Sequence, residues 1–371
     1  MTGEEKLKRV LRGETVTEFP VVIPYLGIFL RDHWEEVTDE LWWSNRDGSI
    51  QNHLRVARDL YAALDIDWVA ANWGQSRQWR EQHSVIQKGE NVLLVDEAQG
   101  SETEIFKPPP GGEVNVIKCR VHSKDDVDSL IPSVTSESLL SDGSLDLAQA
   151  MIEEFGDGRF TLGSVGSPLW SAYSYFGFEE LMMNLMVGQE LLIYFLEKVT
   201  ANTLERIRAL AAAGVDGVWI EDCYASKDII SVEHFREFAV PGLRQVIDTC
   251  RELDLPCIHY FCGDVSDRLV DLVDLGPDGL SLEESKKGFR IEMSEIDESV
   301  GGRTCLLGNI DPIGVLQKGS REEMAQSLEE QAAIGRRSGR FIVSVGSPVT
   351  PLTSTGKLQE FLALAREAVR P

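Results

Sequence analysis

Eight short apolar runs recur along the chain with helical patterns between most of them, and this alternation limits the fold more than any other feature. The runs are "FPVVIPYL" (19–26), "IDWVAANW" (66–73), "RFTLGSVGS" (159–167), "GVDGVWIED" (214–222), "LPCIHYFCG" (255–263), "DGLSLEE" (278–284), "TCLLGNID" (304–311) and "RFIVSVGSP" (340–348). Each is bounded by Gly, Pro or Asp and reads as a buried strand. The clearest helical pattern lies at 190–211, where Leu192, Phe195, Leu196, Val199, Leu204, Ile207 and Leu210 fall mostly on one face. Others cover 231–253, 320–337 and 356–369. Parallel strands need crossover helices, so this alternation predicts an α/β chain, and eight strands predict a (β/α)8 TIM barrel. A doubly wound sheet is the structural alternative. The 371 residues are read as one domain with ample material for a core. The interval 74–158 is too long for one loop. Its "SVIQKGENVLLVDEAQGSETEIF" reads as a β-hairpin or small meander inserted after the second strand, and "KPPPGG" (107–112) as an irregular rim.

The net charge of −25 excludes two classes of partner, because so acidic a surface repels nucleic acid and anionic membrane. No run approaches the roughly 18 apolar residues that read as a membrane span. The opening "MTGEEKLKRVLRGE" is charged and amphipathic, unlike a signal peptide, which predicts a cytoplasmic protein. The six cysteines (Cys119, Cys223, Cys250, Cys257, Cys262, Cys305) then read as thiols or ligands rather than a disulfide framework.

A barrel places its chemistry at the carboxyl ends of the strands. Those ends carry Tyr25, Asn72, Ser167, Asp222, Cys262, Glu283 or Glu284, Asp311 and Ser347. The most chemically loaded stretch is "LPCIHYFCGDVSD" (255–267), with Cys257, His259, Tyr260 and Cys262 in one run. Residues two apart on a strand share a face, so Tyr260 and Cys262 are expected on the barrel face and His259 with Cys257 on the other. His259 joins Cys262 only if the strand end bulges, which Gly263 permits. Glu221, Asp222 and Cys223 are the neighbouring groups that complete a nitrogen, oxygen and sulfur set. A redox pair of Cys257 and Cys262 is disfavoured by its Cys-x4-Cys spacing.

Several stretches together resemble the uroporphyrinogen decarboxylase superfamily. They are "EEKLKRVLRGETVTEFPVV", "GSVGSPLWSAYSYFG" (163–177), "AAAGVDGVWIEDCYASKDIISVEHFREFAVPGLRQVI" and "LLGNIDPIGVLQKGSREEM", in order and over nearly the whole chain. The resemblance implies a (β/α)8 barrel and one of two activities. The decarboxylases hold a polycarboxylate with early arginines and an aspartate after the second strand. Here "VVIPYLGIFLRDHW" offers Arg31 alone, and Asn72 stands at the aspartate position. The second activity is methyl transfer in corrinoid-linked systems, with a His-x-Cys-Gly zinc signature at the fifth strand and a second cysteine at the eighth. "YFCG" (260–263) keeps Cys262 but has Tyr260 at the histidine position, and Ser347 stands for the second cysteine.

The layout is closer to the methyltransferase branch. It implies a methyltransferase moving a methyl group between a cobalamin, carried by a corrinoid protein, and a small-molecule donor or acceptor. Zinc is expected on His259 and Cys262; Asp222, Glu221, Tyr260 and Asn309 are the candidate catalytic residues. Asn72, Tyr173, Asp311 and Ser347 are the candidate cofactor contacts, and a homodimer is a further candidate assembly. A cofactor-free decarboxylase and a non-catalytic corrinoid or tetrapyrrole carrier are the alternatives.

Plainer readings stand beside these. Cys262 is equally a buried thiol, and His259 a hydrogen-bonded core histidine. Asp311 precedes a proline and can simply cap the following helix. Tyr173 and Tyr175 can be packing, as can Trp34, Trp42, Trp43, Trp68, Trp73 and Trp79, crowded into the first 80 residues.

Overall fold

The computed structural model describes residues 1–113, 116–286 and 288–370. Its strands, in chain order, are β1 (Trp68–Ala70), β2 (His83–Lys88), β3 (Asn91–Asp96), β4 (Ser101–Ile105), β5 (Phe160–Gly166), β6 (Gly217–Asp222), β7 (Cys257–Phe261), β8 (Gly279–Leu282), β9 (Cys305–Leu307) and β10 (Phe341–Ile342). Seven of them form one parallel sheet in the order β1-β5-β6-β7-β8-β9-β10, and β2-β3-β4 form a separate antiparallel sheet.

The run 19–26, predicted as a strand, contributes a single bridge from Val21 to Val343. Pro20 and Pro24 have no N–H to give a ladder, and Tyr25 turns into the left-handed region at φ 59°. The segment still touches both sheet edges. Val22 N–H donates to Val343 O (3.0 Å), Val343 N–H to Pro20 O (2.9 Å) and Asp67 N–H to Val21 O (2.9 Å). The sheet therefore curls round in a TIM-barrel-like arrangement.

Helix Gly3–Leu11 sits under the amino ends of the strands, started by a capping box between Thr2 and Glu5. Its Leu7 and Leu11 are fully buried, and Leu11 packs close to Gly279 of β8. A buried ionic clasp ties both ends of the chain to this base. Asp67 pairs with Lys6 (3.0 Å) and Arg366 (2.6 Å), and accepts the Val21 N–H (2.6 Å).

On the outer side, helix Pro168–Met186 follows β5. Ser167 caps it by accepting the Trp170 N–H, and Pro168 occupies its first turn. It breaks at Gly177 (φ 69°), where a Cβ would come 2.3 Å from Ile117 O. A second buried polar anchor lies after β7. Arg268 is wholly buried and donates to Ala225 O and to Ile230 O (3.0 Å), lying over the Phe235 ring. It holds the 223–231 turn, in which Tyr224 takes a left-handed φ of 64°. Among the described residues no helix is long and apolar enough to cross a membrane.

Candidate active site

Strand alternation sorts the side chains of β6 and β7 into two sets. Trp219 and Glu221 line a cavity at the carboxyl end of the sheet. The Tyr260 ring stacks on Trp219 (centroids 5.4 Å apart, 18° between planes), so it shares that inner face. Tyr25 sets its edge against both rings, at 6.0 Å from Trp219 and 5.4 Å from Tyr260. The other set faces away from the cavity. His259 Nε2 lies 3.2 Å from Asp222 Oδ2, and Ser167 Oγ donates to Asp222 Oδ1 (2.6 Å), all three side chains buried.

This geometry corrects part of the expected site. Asp222 ends its strand as anticipated, but its carboxylate is spent on the helix cap and on His259. His259 and Cys262 are not brought together: the histidine stays on the outer face, and no bulge turns it inward. Cys262 instead lies beside Cys223, one residue beyond the last ladder pair Asp222–Phe261. The neighbouring Cys262 sulfur, and then burial, push the Cys223 thiol far above its ordinary range. Among the described residues no group of three His, Cys, Asp or Glu is placed to hold a metal ion.

The cavity has a volume of about 460 Å³, the scale of a small-molecule pocket. Its walls include Tyr25, Tyr61, Trp68 and Trp219, with Asn45, His53 and Asn72 among its polar groups. Glu221 is the single carboxylate, and no lysine or arginine appears among the described lining residues. Burial pushes the Glu221 carboxyl above its ordinary value, partly offset by Tyr25 and Trp170. Burial, followed by the charge of Glu221, likewise drives the Tyr25 hydroxyl far above the usual phenol range. That hydroxyl is buried and has no hydrogen-bond partner. Burial is also the main cause of the rise at Tyr260, followed by Tyr25 and Cys262.

The remaining expected residues are dispersed. Ser347 belongs to a polar knot beside the mouth, donating toward Glu284 (2.7 Å) and Glu283 (3.2 Å) and accepting from Lys286 (3.1 Å). Lys286 also pairs with Glu284, and Glu283 accepts the Gly263 N–H (3.0 Å). Burial alone would lower the Lys286 pKa, but Glu284 and Glu283 more than reverse it. Asn309 braces the turn after β8 by donating to Glu283 O (3.0 Å) and Ile291 O (3.2 Å), away from the cavity. Asp311 caps the turn that follows it, accepting from the Ile313 and Gly314 N–H groups. Tyr173 stacks on Trp170 and leans on Tyr224. Sequence reasoning missed Trp219, Lys286, Asn45 and His53. Trp219 had a signal, since it lies two residues before Glu221 and must share its face; the other three sit on loops or helix faces with no motif.

A parallel α/β fold with a polar and aromatic cavity at its carboxyl end defines the class: a barrel-like enzyme scaffold. The uroporphyrinogen decarboxylase (URO-D) family matches residues 91–368, and the chain belongs to that family. It is 23% identical to the methylcobamide:CoM methyltransferase MtbA of Methanosarcina acetivorans, over 68% of this chain and 71% of that protein. It is 25% identical to the uroporphyrinogen decarboxylase of Chlorobium luteolum, over 75% of this chain and 78% of that protein. The fold is similar to that of a solved methyltransferase from Methanosarcina mazei, with a TM-score of 0.68, 20% identity and 99% coverage of both chains.

Proposed function

We propose that this chain is a methyltransferase of the URO-D superfamily, working with a corrinoid on a small molecule held in the Glu221 cavity, at the carboxyl-end mouth of the TIM-barrel-like sheet. The observation that carries the reading is the cavity wall: four aromatic rings and one carboxylate, with no described lysine or arginine. A polycarboxylate placed there would lose its hydration with no cation to receive it. An apolar or cationic methyl compound would not.

A corrinoid would supply the cobalt that accepts or donates the methyl group. A cavity of 460 Å³ does not enclose a corrin macrocycle, so the corrinoid protein would present it at the rim, over Asn72. The residues of this chain position the small molecule and exclude water. Trp219 and Tyr25 form the inner wall, backed by the Tyr260 ring stacked on Trp219, and Glu221 supplies the one charge among the described lining residues. The donor set does not fit a zinc ion. Tyr260 has its ring committed to Trp219, Ser347 is held by two carboxylates and a lysine, and His259 faces the other way.

The test is spectroscopic. Purified chain is mixed with reduced cobalamin and candidate methyl donors, and with methylcobalamin and candidate acceptors, and the corrinoid absorbance is followed. Catalysed change in the methylcobalamin bands, lost in Glu221→Ala, supports the reading. Release of carboxyl groups from uroporphyrinogen by the same preparation, with inert corrinoid spectra, would replace it by the decarboxylase.

A further inference from the structure

We infer that the small molecule of this cavity is an organic cation, a methylated and preferably quaternary ammonium compound; this deepens the methyl-transfer reading and rests on it. The starting observation is Glu221. It lies in the cavity wall, burial already pushes its carboxyl upward, and it makes no ion pair with any described residue. A half-buried carboxylate has lost part of its hydration, and without a cation that loss is uncompensated. A neutral ligand would take away the remaining water and deepen that cost, whereas a cationic ligand would relieve it.

The rest of the wall fits the same chemistry. Tyr25, Tyr61, Trp68 and Trp219 all line the cavity, and Trp219 sets its ring edge-to-face with both Trp68 (5.6 Å) and Tyr25 (6.0 Å). Aromatic walls around one carboxylate attract quaternary ammonium groups through the ring quadrupoles and the fixed charge together. Besides the two tyrosines, His53 is the remaining titratable liner, and its Nδ1 lies 2.9 Å from Ser49 O. The net charge of −25 adds an attractive field for any cation approaching the mouth.

Other methyl compounds are served less well. A thiol must ionise to accept a methyl group, and the nearby Glu221, Cys223 and Cys262 oppose a further thiolate. A methoxyarene would fill the apolar wall but would leave the carboxylate unpaired. With a quaternary ammonium the transfer balances without a proton. The carbon–nitrogen bond breaks and its electron pair stays on nitrogen. The methyl carbon bonds to the two-electron nucleophile, the reduced corrinoid of the proposed reaction. The tertiary amine is formed neutral and, being basic, takes up a proton from solvent afterwards.

The experiment is calorimetric titration of the full chain, without corrinoid, using choline and its neutral carbon isostere 3,3-dimethylbutan-1-ol. Choline is expected to bind about tenfold more tightly or better. Glu221→Gln should remove that preference while leaving the alcohol unchanged, with Trp219→Phe as a second variant that weakens choline alone. Equal affinities for the two probes, an unchanged preference in Glu221→Gln, or no binding of choline would overturn the inference. Because corrinoid is absent, this titration reads the cation site alone: choline binding here together with no methyl transfer in the spectroscopic assay would sink the proposed function and leave the cation site standing. Transfer from neutral donors alone would do the reverse.

Discussion

Replacing Arg268 by alanine should loosen the turn that carries Cys223 and Tyr224. The guanidinium is wholly buried and donates to two carbonyls, Ala225 O and Ile230 O, over the Phe235 ring. Alanine would leave both carbonyls without a donor, at roughly 1–3 kcal/mol each, and would open a void beside Phe235. A loss of about 3–5 kcal/mol follows, in line with the breaking of other buried charged contacts. Unfolding entropy for 371 residues is roughly 0.8 kcal/mol per kelvin, so Tm should fall by about 4–6 °C. Scanning calorimetry measures this. Arg268→Met separates the contributions, because it refills the void without restoring the donors; it should recover only part of the loss. The 223–231 turn should also become cleavable by limited proteolysis in both variants. A Tm within about 1 °C of the parent for Arg268→Met would show that the carbonyl contacts contribute nothing, and the reasoning would fail.

Three further outcomes are expected. Glu221 has a folded-state pKa raised above its ordinary 4.5, so its penalty is absent below that value and grows as pH rises toward the folded pKa. Glu221→Gln should therefore match the parent in denaturant titrations near pH 4 and exceed it at pH 8; an equal margin at both would refute this. In the native state a thiol reagent should reach the half-buried Cys119 and Cys262, react only slowly at Cys223, whose thiol is pushed far up, and reach Cys250, Cys257 and Cys305 only on unfolding. Burial holds Cys305 up at about 12, so a rapid native reaction there would count against the packing. Gly177→Ala combines a positive φ with a Cβ 2.3 Å from Ile117 O, and should cost about 1–3 kcal/mol in urea unfolding.

Much of the architecture was legible because burial on both faces of a parallel sheet leaves continuous apolar runs. The run at 19–26 shows the limit: its apolar content was real, but two prolines withhold the donors that a ladder needs. For the site, period-two alternation was the reliable guide. It put His259 behind the sheet and Tyr260 on the inner face, where the rings meet Trp219. Applied to the preceding strand, the same rule separates Glu221, on the cavity side, from Asp222 behind the sheet, although the sequence alone makes both of them catalytic candidates. The plain reading of Asp311 as a cap is what the hydrogen bonds show. The Lys286 knot and the placing of Asn45 and His53 depend on loops folding back across the mouth, which local sequence does not encode.

The clasp at Asp67 has a bearing on how the chain is made. Its partner Arg366 lies 299 residues further along, and the Val22–Val343 contact closes on a similar span. At ribosomal rates of about 5–20 residues per second, β1 and the 20–22 segment wait roughly 15–60 s for their last neighbours. Throughout that interval the nascent sheet presents open edges able to pair with other chains. A message truncated before β10 would yield a polypeptide with most of its core but without Val343 and Arg366, and so with no way to close. Such a product should reach the insoluble fraction rather than persist as a smaller folded protein.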